Sequence, residues 1–258
     1  MKGYRPENRN LFSETYLDTQ CAKDFVPIEK ASREAFRTLS ELRRRSRPER
    51  FGPGKEQQLR EEYLDKVLDI LGWSRTSEGR IPSDGKPDYT LFRDSSDKDA
   101  ALSHVGTIEF FQDAVCLCEA KHWGADLHKA ASEGRSPRGQ IYGYLEDTHV
   151  DWGFATNGKE WMLLWRGYSR AQQRDFTVDL DSLLLKDDWS PEFDYFYGFF
   201  SQPGLSGGLV QGALERSRLS GEAVGALQRL QILGGTQLQD AGSQIVVERF
   251  HGIGNGRF

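Results

Sequence analysis

The sequence predicts an α/β fold with a mixed central sheet flanked by helices, on three observations. Ala114-Val115-Cys116-Leu117-Cys118-Glu119-Ala120-Lys121 is a short apolar run bounded by polar turns, the pattern of a buried strand. Leu59, Tyr63, Leu64, Val67, Leu68 and Leu71 recur at helical spacing along residues 55–71. Trp152 to Thr156 and Trp161 to Trp165, joined through Asn157-Gly158, have the composition of a hairpin with a type I′ turn. Helices interleaved with both hairpin strands and a strand–helix–strand stretch imply a sheet covered by helices.

Bulk composition narrows the classes. The 258 residues, 37% hydrophobic and 12% aromatic, suffice for one large domain or a domain with extensions. A net charge of −5 and a pI near 5.6 argue against a chain that coats nucleic acid over its whole surface. They leave room for a local basic groove beside an acidic site. Three irregularly spaced cysteines point to a reducing compartment rather than a disulfide framework. No run approaches the roughly 18 apolar residues of a membrane span. Met1-Lys2-Gly3-Tyr4-Arg5 lacks the apolar core of a signal peptide. The expectation is a soluble cytoplasmic protein with no membrane partner.

In chain order, residues 1–50 form a helical lead-in. Its helix over 27–45 carries Ala31, Ala35, Phe36, Leu39 and Leu42 on one stripe. The following Arg43-Arg44-Arg45-Ser46-Arg47-Pro48 reads as a solvated helix end whose cations offset the dipole, more commonly than as a phosphate contact. Phe51-Gly52-Pro53-Gly54 breaks the chain, and the core region spans residues 51–187. The 55–71 helix opens with Glu56 in line with its apolar stripe. That carboxylate either offsets the positive helix N-terminus or reaches a metal site as a third acid.

A polar stretch leads to Lys86-Pro87-Asp88-Tyr89-Thr90-Leu91-Phe92, a strand opened by Asp88. Residues 93–104 read as an exposed loop. Residues 106–111 and 114–121 read as a hairpin turning at Gln112-Asp113. Ser136-Pro137 caps a helix to about Asp147 that brings Gln140, Ile141 and Tyr144 near one face. A strand over 176–180 closes the sheet. Residues 188–258 read as a C-terminal helical extension with a loose tail. Phe193, Tyr195, Phe196, Phe199 and Phe200 form an aromatic stripe suited to packing rather than base-stacking. A glycine-rich break at 204–208 precedes a helix to about Leu233, and Ile245-Val246-Val247 has the composition of a short strand.

The chemistry sits where two strands end. Alternation puts Val115, Leu117, Glu119 and Lys121 on one face, so an acid and an amine project together from a core strand, where burying charge is costly. Phosphodiester hydrolysis needs a positioned water and stabilisation of charge on the phosphoryl group. Magnesium supplies both, taking one or two carboxylates with waters and substrate oxygens. Asp88 and Glu119 supply the carboxylates, the Ala120 carbonyl a further oxygen, and Lys121 orients or deprotonates the water. Gln140 and Tyr144 contact the scissile phosphate or that water. The bland alternative is a surface salt bridge between Glu119 and Lys121. Cys116 and Cys118 with His122 or His128 raise zinc as another, but buried core cysteines fit better.

Pro87-Asp88 with Glu119-Ala120-Lys121 resembles the PD-(D/E)xK nuclease superfamily. Asn10-Leu11-Phe12-Ser13 with Tyr16-Leu17 resembles the N-terminal lead-in of type IIG restriction–modification enzymes. Lys55-Glu56-Gln57-Gln58-Leu59-Arg60 with Leu71-Gly72-Trp73 is similar to their first nuclease helix, and Gln140 with Tyr144, and Thr156-Asn157-Gly158 with Trp161, to their later nuclease motifs. Phe193 to Phe200 resembles the helix leading into their methyltransferase part. The likeness runs over about residues 10–230. It implies a restriction-endonuclease-like core with N- and C-terminal helical extensions, and a Mg²⁺-dependent DNA endonuclease in which Mn²⁺ substitutes. It assigns Asp88, Glu119, the Ala120 carbonyl and accessory Glu56 to the metal, Lys121 to the water, and Gln140 to stabilising the site.

There is no Asn-Pro-Pro-Tyr motif, no glycine-rich loop for S-adenosylmethionine and no recognisable target-recognition region. The resemblance therefore implies a truncated relative, a fragment or a standalone nuclease subunit. Its partners would be DNA, a separate methyltransferase or specificity subunit, and a second copy in a homodimer. The competing functions are a catalytically silent DNA-binding scaffold and a nuclease acting on branched DNA or RNA.

Overall fold

The computed structural model describes residues 4–77, 79–81, 85–130, 134–168, 170–172 and 174–222. Seven strands form one open mixed sheet in the order β1-β7-β6-β5-β4-β3-β2. These are β1 (Glu7–Asn8), β2 (Ser74–Thr76), β3 (Tyr89–Phe92), β4 (Cys116–Ala120), β5 (Trp152–Thr156), β6 (Glu160–Trp165) and β7 (Phe176–Asp179). Only the central pair β4–β5 is parallel; every other neighbouring pair is antiparallel.

Helices α1 (Glu14–Thr19), α2 (Cys21–Phe25) and α3 (Glu29–Ser46) come first. Next are α4 (Glu56–Leu59), a π-helical turn over Arg60–Leu64, and α5 (Asp65–Ile70), which together form the one helix expected over 55–71. Then follow α6 (Ser95–Leu102), α7 (Pro137–Thr148), α8 (Leu180–Leu184), α9 (Phe193–Phe200) and α10 (Gln202–Ser206), with helix again over 209–222. A parallel pair needs a crossover, and α7 is that crossover between β4 and β5.

Alternation along the strands divides the core into two layers. Tyr89, Leu91, Cys116, Cys118, Phe154, Leu163 and Val178 face the layer containing α3, α5 and α9. Phe92, Leu117, Ala155, Met162 and Leu164 face α7. The aromatic stripe of α9 is packing: Phe199 stacks on Phe12 with centroids 4.8 Å apart, and Phe196 meets Trp161 edge-on at 5.5 Å. Leu11, Phe12, Tyr16 and Leu17 belong to the same cluster as α9, so both flanking segments share the core of residues 51–187. In α3 the stripe is rotated from expectation, with Ser32 buried and Ala31 exposed. Ser32 donates to the buried Asp194 carboxylate on α9, which explains a polar residue there.

Four local expectations are corrected. Residues 106–111 form no strand: Ile108–Phe111 is a 3₁₀ turn. Phe110 and Phe111 are both buried in the α7 layer, which period-two alternation would forbid. Cys116–Ala120 pairs instead with β3 and β5. The polar run after β3 is helix α6 rather than loop, because Asp94 caps it by accepting from the Ser96 and Asp97 N–H groups. The hairpin turn is not type I′, since Asn157 is not among the residues at positive φ whereas Gly158 has φ +82°. The Asn157 side chain accepts from the Lys159 and Glu160 N–H groups at 2.9 and 2.7 Å, taking over what a two-residue turn would do with backbone alone. The break over 204–208 is partly helix, because Ser201 caps α10 and Pro203 pre-sets its first turn. The predicted helix end near Leu233 and the 245–247 strand lie outside the described residues.

Gly153 in β5 lies directly under α7, where an added Cβ would come 2.3 Å from Ile141 Cγ2. Gly153→Ala must therefore displace the Ile141 side chain from its seat under α7. The expected cost is roughly 1–3 kcal/mol, read by chemical denaturation.

Candidate active site

The site lies at one end of β3 and of β4, the latter a member of the parallel pair. Tyr89 pairs with Cys118 in the antiparallel β3–β4 register, so Asp88, one residue earlier, stands opposite Glu119. Both carboxylates then share a face. The Lys121 N–H donates to the Thr156 carbonyl at 2.8 Å, extending the β4 ladder and returning the Lys121 side chain to the Glu119 face. Lys121 Nζ donates to Glu119 Oε1 at 2.6 Å. Glu119 is 5% exposed, which rules out an ordinary surface salt bridge.

Asp88 is held from two sides. Its Oδ2 accepts from the Ala120 N–H at 2.8 Å. Its Oδ1 accepts from an Arg60 guanidinium nitrogen at 2.6 Å, while the other nitrogen donates to the Asp88 carbonyl at 2.9 Å. Ala120 thus contributes its N–H to the site, a role sequence reasoning did not assign. Arg60 is also a residue it missed. The available signal was spacing: Arg60 lies four residues after Glu56 and so on the same helical face.

The electrostatics follow from crowding acids in a poorly hydrated place. Burial first, and the Asp88 charge second, push the Glu119 carboxyl up to about 7. Burial likewise raises Asp88, against the pull of Arg60 and the Ala120 N–H. Burial alone would lower the Lys121 ammonium, but Glu119, Glu56 and Asp88 together raise it above its usual value. A neutral Lys121, as general-base chemistry requires, therefore depends on a cation compensating those acids.

Glu56 opens α4 and adds its charge to Asp88, Glu119 and Lys121. Among the described residues, no three His, Cys, Asp or Glu side chains converge as a ready metal cluster. Glu56 accordingly flanks the pair. Magnesium needs no more than the pair, since it retains waters and takes substrate oxygens. The residues fit such an ion: Glu119 Oε2 is buried and has no hydrogen-bond partner, and burial with the Asp88 charge holds the Glu119 pKa up.

Gln140 on α7 lines the same space as Lys121 and Glu56; its Nε2 donates to the Arg135 carbonyl at 3.4 Å and its Oε1 is buried without a partner. Tyr144, one turn on, donates to the Lys86 carbonyl at 3.4 Å. Burial, then the Glu119 and Asp88 charges, raise its phenol pKa.

Two cavities flank the carboxylates and share Glu56. One of about 930 Å³ is lined by Arg60, Arg75, Thr76, Asp88 and Tyr89, and one of about 470 Å³ by Lys121, His122, Lys129, Arg135 and Gln140. Asp88 lines the first cavity and Lys121 the second, and each wall carries acids, Glu61 and Asp65 in the first and Asp126 in the second, beside its cations.

The other candidates are structural. Cys116 and Cys118 are free, buried thiols in the apolar layer, and burial raises both far above the usual thiol value. His128 lies 4.0 Å from Asp175, which Arg138 holds at 3.0 Å. In the basic run, Arg43 ties α3 to Asp181 of α8 at 2.7 Å and Arg45 pairs with Glu41 within α3.

No helix among the described residues is long and apolar enough to cross a membrane. In comparisons with known proteins, no family model, no curated protein and no solved structure matches the chain.

Proposed function

We propose that this chain is a Mg²⁺-dependent DNA endonuclease with a restriction-endonuclease-like core. The supporting observation is the Asp88–Glu119 pair beside Lys121, with Glu119 Oε2 buried and unpartnered. Crowding two acids in a poorly hydrated place is costly, and such an arrangement marks functional sites more often than structural ones. Asp88 and Glu119 would hold the ion. When bound, it would supply charge stabilisation to the phosphoryl oxygens and lower the pKa of a coordinated water.

The chain's own groups do the rest. Lys121, anchored at Glu119, orients the water and accepts its proton once the acids are compensated. Gln140, with an unpartnered Oε1 in the same cavity, positions that water or the scissile phosphate. Lys129 and Arg135 hold flanking phosphates by charge, and Tyr144 supports the approach to Asp88.

A role in restriction-type defence, with a separate methyltransferase or specificity subunit supplying target choice, rests on the resemblance to type IIG enzymes. A homodimer would place two such sites for a double-strand break.

The test is incubation of supercoiled plasmid with Mg²⁺ or Mn²⁺, alongside branched DNA, single-stranded DNA and RNA. Nicking of plasmid that disappears in Asp88→Ala supports the reading. Cleavage confined to branched or RNA substrates moves it to a structure-directed nuclease. DNA retention without cleavage under any divalent metal leaves a silent binding module.

A further inference from the structure

Arg60 is the feature of the site that neither the triad nor the proposed chemistry uses. It forks onto one residue, with one nitrogen on the Asp88 carboxylate at 2.6 Å and the other on the Asp88 carbonyl at 2.9 Å. Its guanidinium lies 4.7 Å from the centroid of the Tyr89 ring, a second resting place for the same charge. Asp88 Oδ2 is occupied by the Ala120 N–H, so Arg60 holds the other oxygen of a residue placed to bind metal.

We propose that Arg60 is the resident counter-ion of Asp88 in the metal-free protein, competes with the divalent cation for Asp88, and swings into the adjoining cavity when that cation binds. The inference rests on the metal-dependent reading above and adds the residue that sets its metal affinity.

Four considerations support displacement over permanent anchoring. A dication on Oδ1 and a guanidinium at hydrogen-bond distance from the same oxygen repel each other strongly in a partly buried site. Space for the move exists, because Arg60 lines the cavity of about 930 Å³, whose walls also carry Glu61 and Asp65 as acceptors for the released charge. The Arg60 side chain is 26% exposed, so leaving Asp88 does not strand it in an apolar interior. The helix also has a point of adjustment there, since its π-helical turn begins at Arg60. Such turns interrupt the regular hydrogen-bond ladder and recur at functional sites.

The two roles predict opposite signs. If Arg60 merely fixes Asp88, removing it disorders the carboxylate and weakens metal binding. If it competes, removing it strengthens binding. The experiment is Mn²⁺ titration of the full chain, followed by the electron paramagnetic resonance signal of free Mn²⁺, in wild type, Arg60→Met, Arg60→Lys and Glu119→Gln. Competition predicts Mn²⁺ binding roughly tenfold tighter in Arg60→Met, the scale of one charge-assisted hydrogen bond no longer displaced. Arg60→Lys, which keeps the charge and loses the fork, falls between. Should Arg60→Met not fold, the sign of the change in Arg60→Lys decides. Equal or weaker Mn²⁺ binding in a folded Arg60 variant overturns the competition. With Mn²⁺ binding in wild type and its loss in Glu119→Gln, the nuclease reading survives that outcome. Absence of Mn²⁺ binding in wild type and both Arg60 variants overturns both.

Discussion

Lys121→Ala lowers Mg²⁺-dependent cleavage by roughly 10²–10⁴-fold, the range for losing a positioned acid–base group. The effect is on turnover more than on affinity. Lys121 is 22% exposed and its side chain bonds to Glu119 Oε1, so shortening it opens no cavity in the core. The acid pair remains, still aligned by the β3–β4 register and by the Ala120 N–H on Asp88. Mn²⁺ binding should therefore persist in the variant while the cleavage step fails. Single-turnover nicking with saturating DNA isolates that step from DNA binding. Unchanged cleavage in Lys121→Ala would remove this lysine from the chemistry.

The second large effect is in Glu119→Gln, and it has two signs. Cleavage falls by at least about 10²-fold because a ligand carboxylate is gone, within the span usual for removing one stabilising group of a transition state. Thermal stability without metal rises at neutral pH. The sign follows from linkage. The folded-state Glu119 pKa is raised from 4.5 to about 7, so the folded protein binds this proton more tightly than the unfolded chain does. That contribution to stability is fully present below about 4.5 and is lost as pH rises through about 7. Wild-type melting temperature should fall across that window and recover on adding Mg²⁺. In Glu119→Gln both the fall and the recovery should be much reduced. Melting curves at pH 5 and pH 8, with and without Mg²⁺, read both.

What could be read in the sequence was whatever expresses itself as a period. The strand over 116–120 and the stripe over 59–71 show as apolar spacing, and Ser136-Pro137 announces α7 by its cap. Asp88, Glu119 and Lys121 follow from that reading, because strand alternation alone puts Glu119 and Lys121 on one face. What was not legible depends on partners distant in sequence. Phe110-Phe111 looks like strand until Phe92 and Leu117 are seen to need both rings in one layer. Asn157-Gly158 looks like a two-residue turn until the buried Asn157 amide is found donating to the Ala125 carbonyl at 2.8 Å. Arg60 looks like one more exposed helix cation, since nothing in its neighbourhood announces that Asp88, 28 residues on, is its acceptor. The elevation of the Glu119 pKa by burial and the Asp88 charge is likewise a property of burial and distance, neither of which a string of residues contains.

The most direct measurement of the central claim is anomalous diffraction from crystals of the chain soaked in Mn²⁺. The account predicts one peak between Asp88 and Glu119, about 2.1 Å from Glu119 Oε2 and from an Asp88 carboxylate oxygen, with Lys121 Nζ reaching a water on that ion. A peak bound elsewhere, or no peak between these two acids at saturating Mn²⁺, would contradict it.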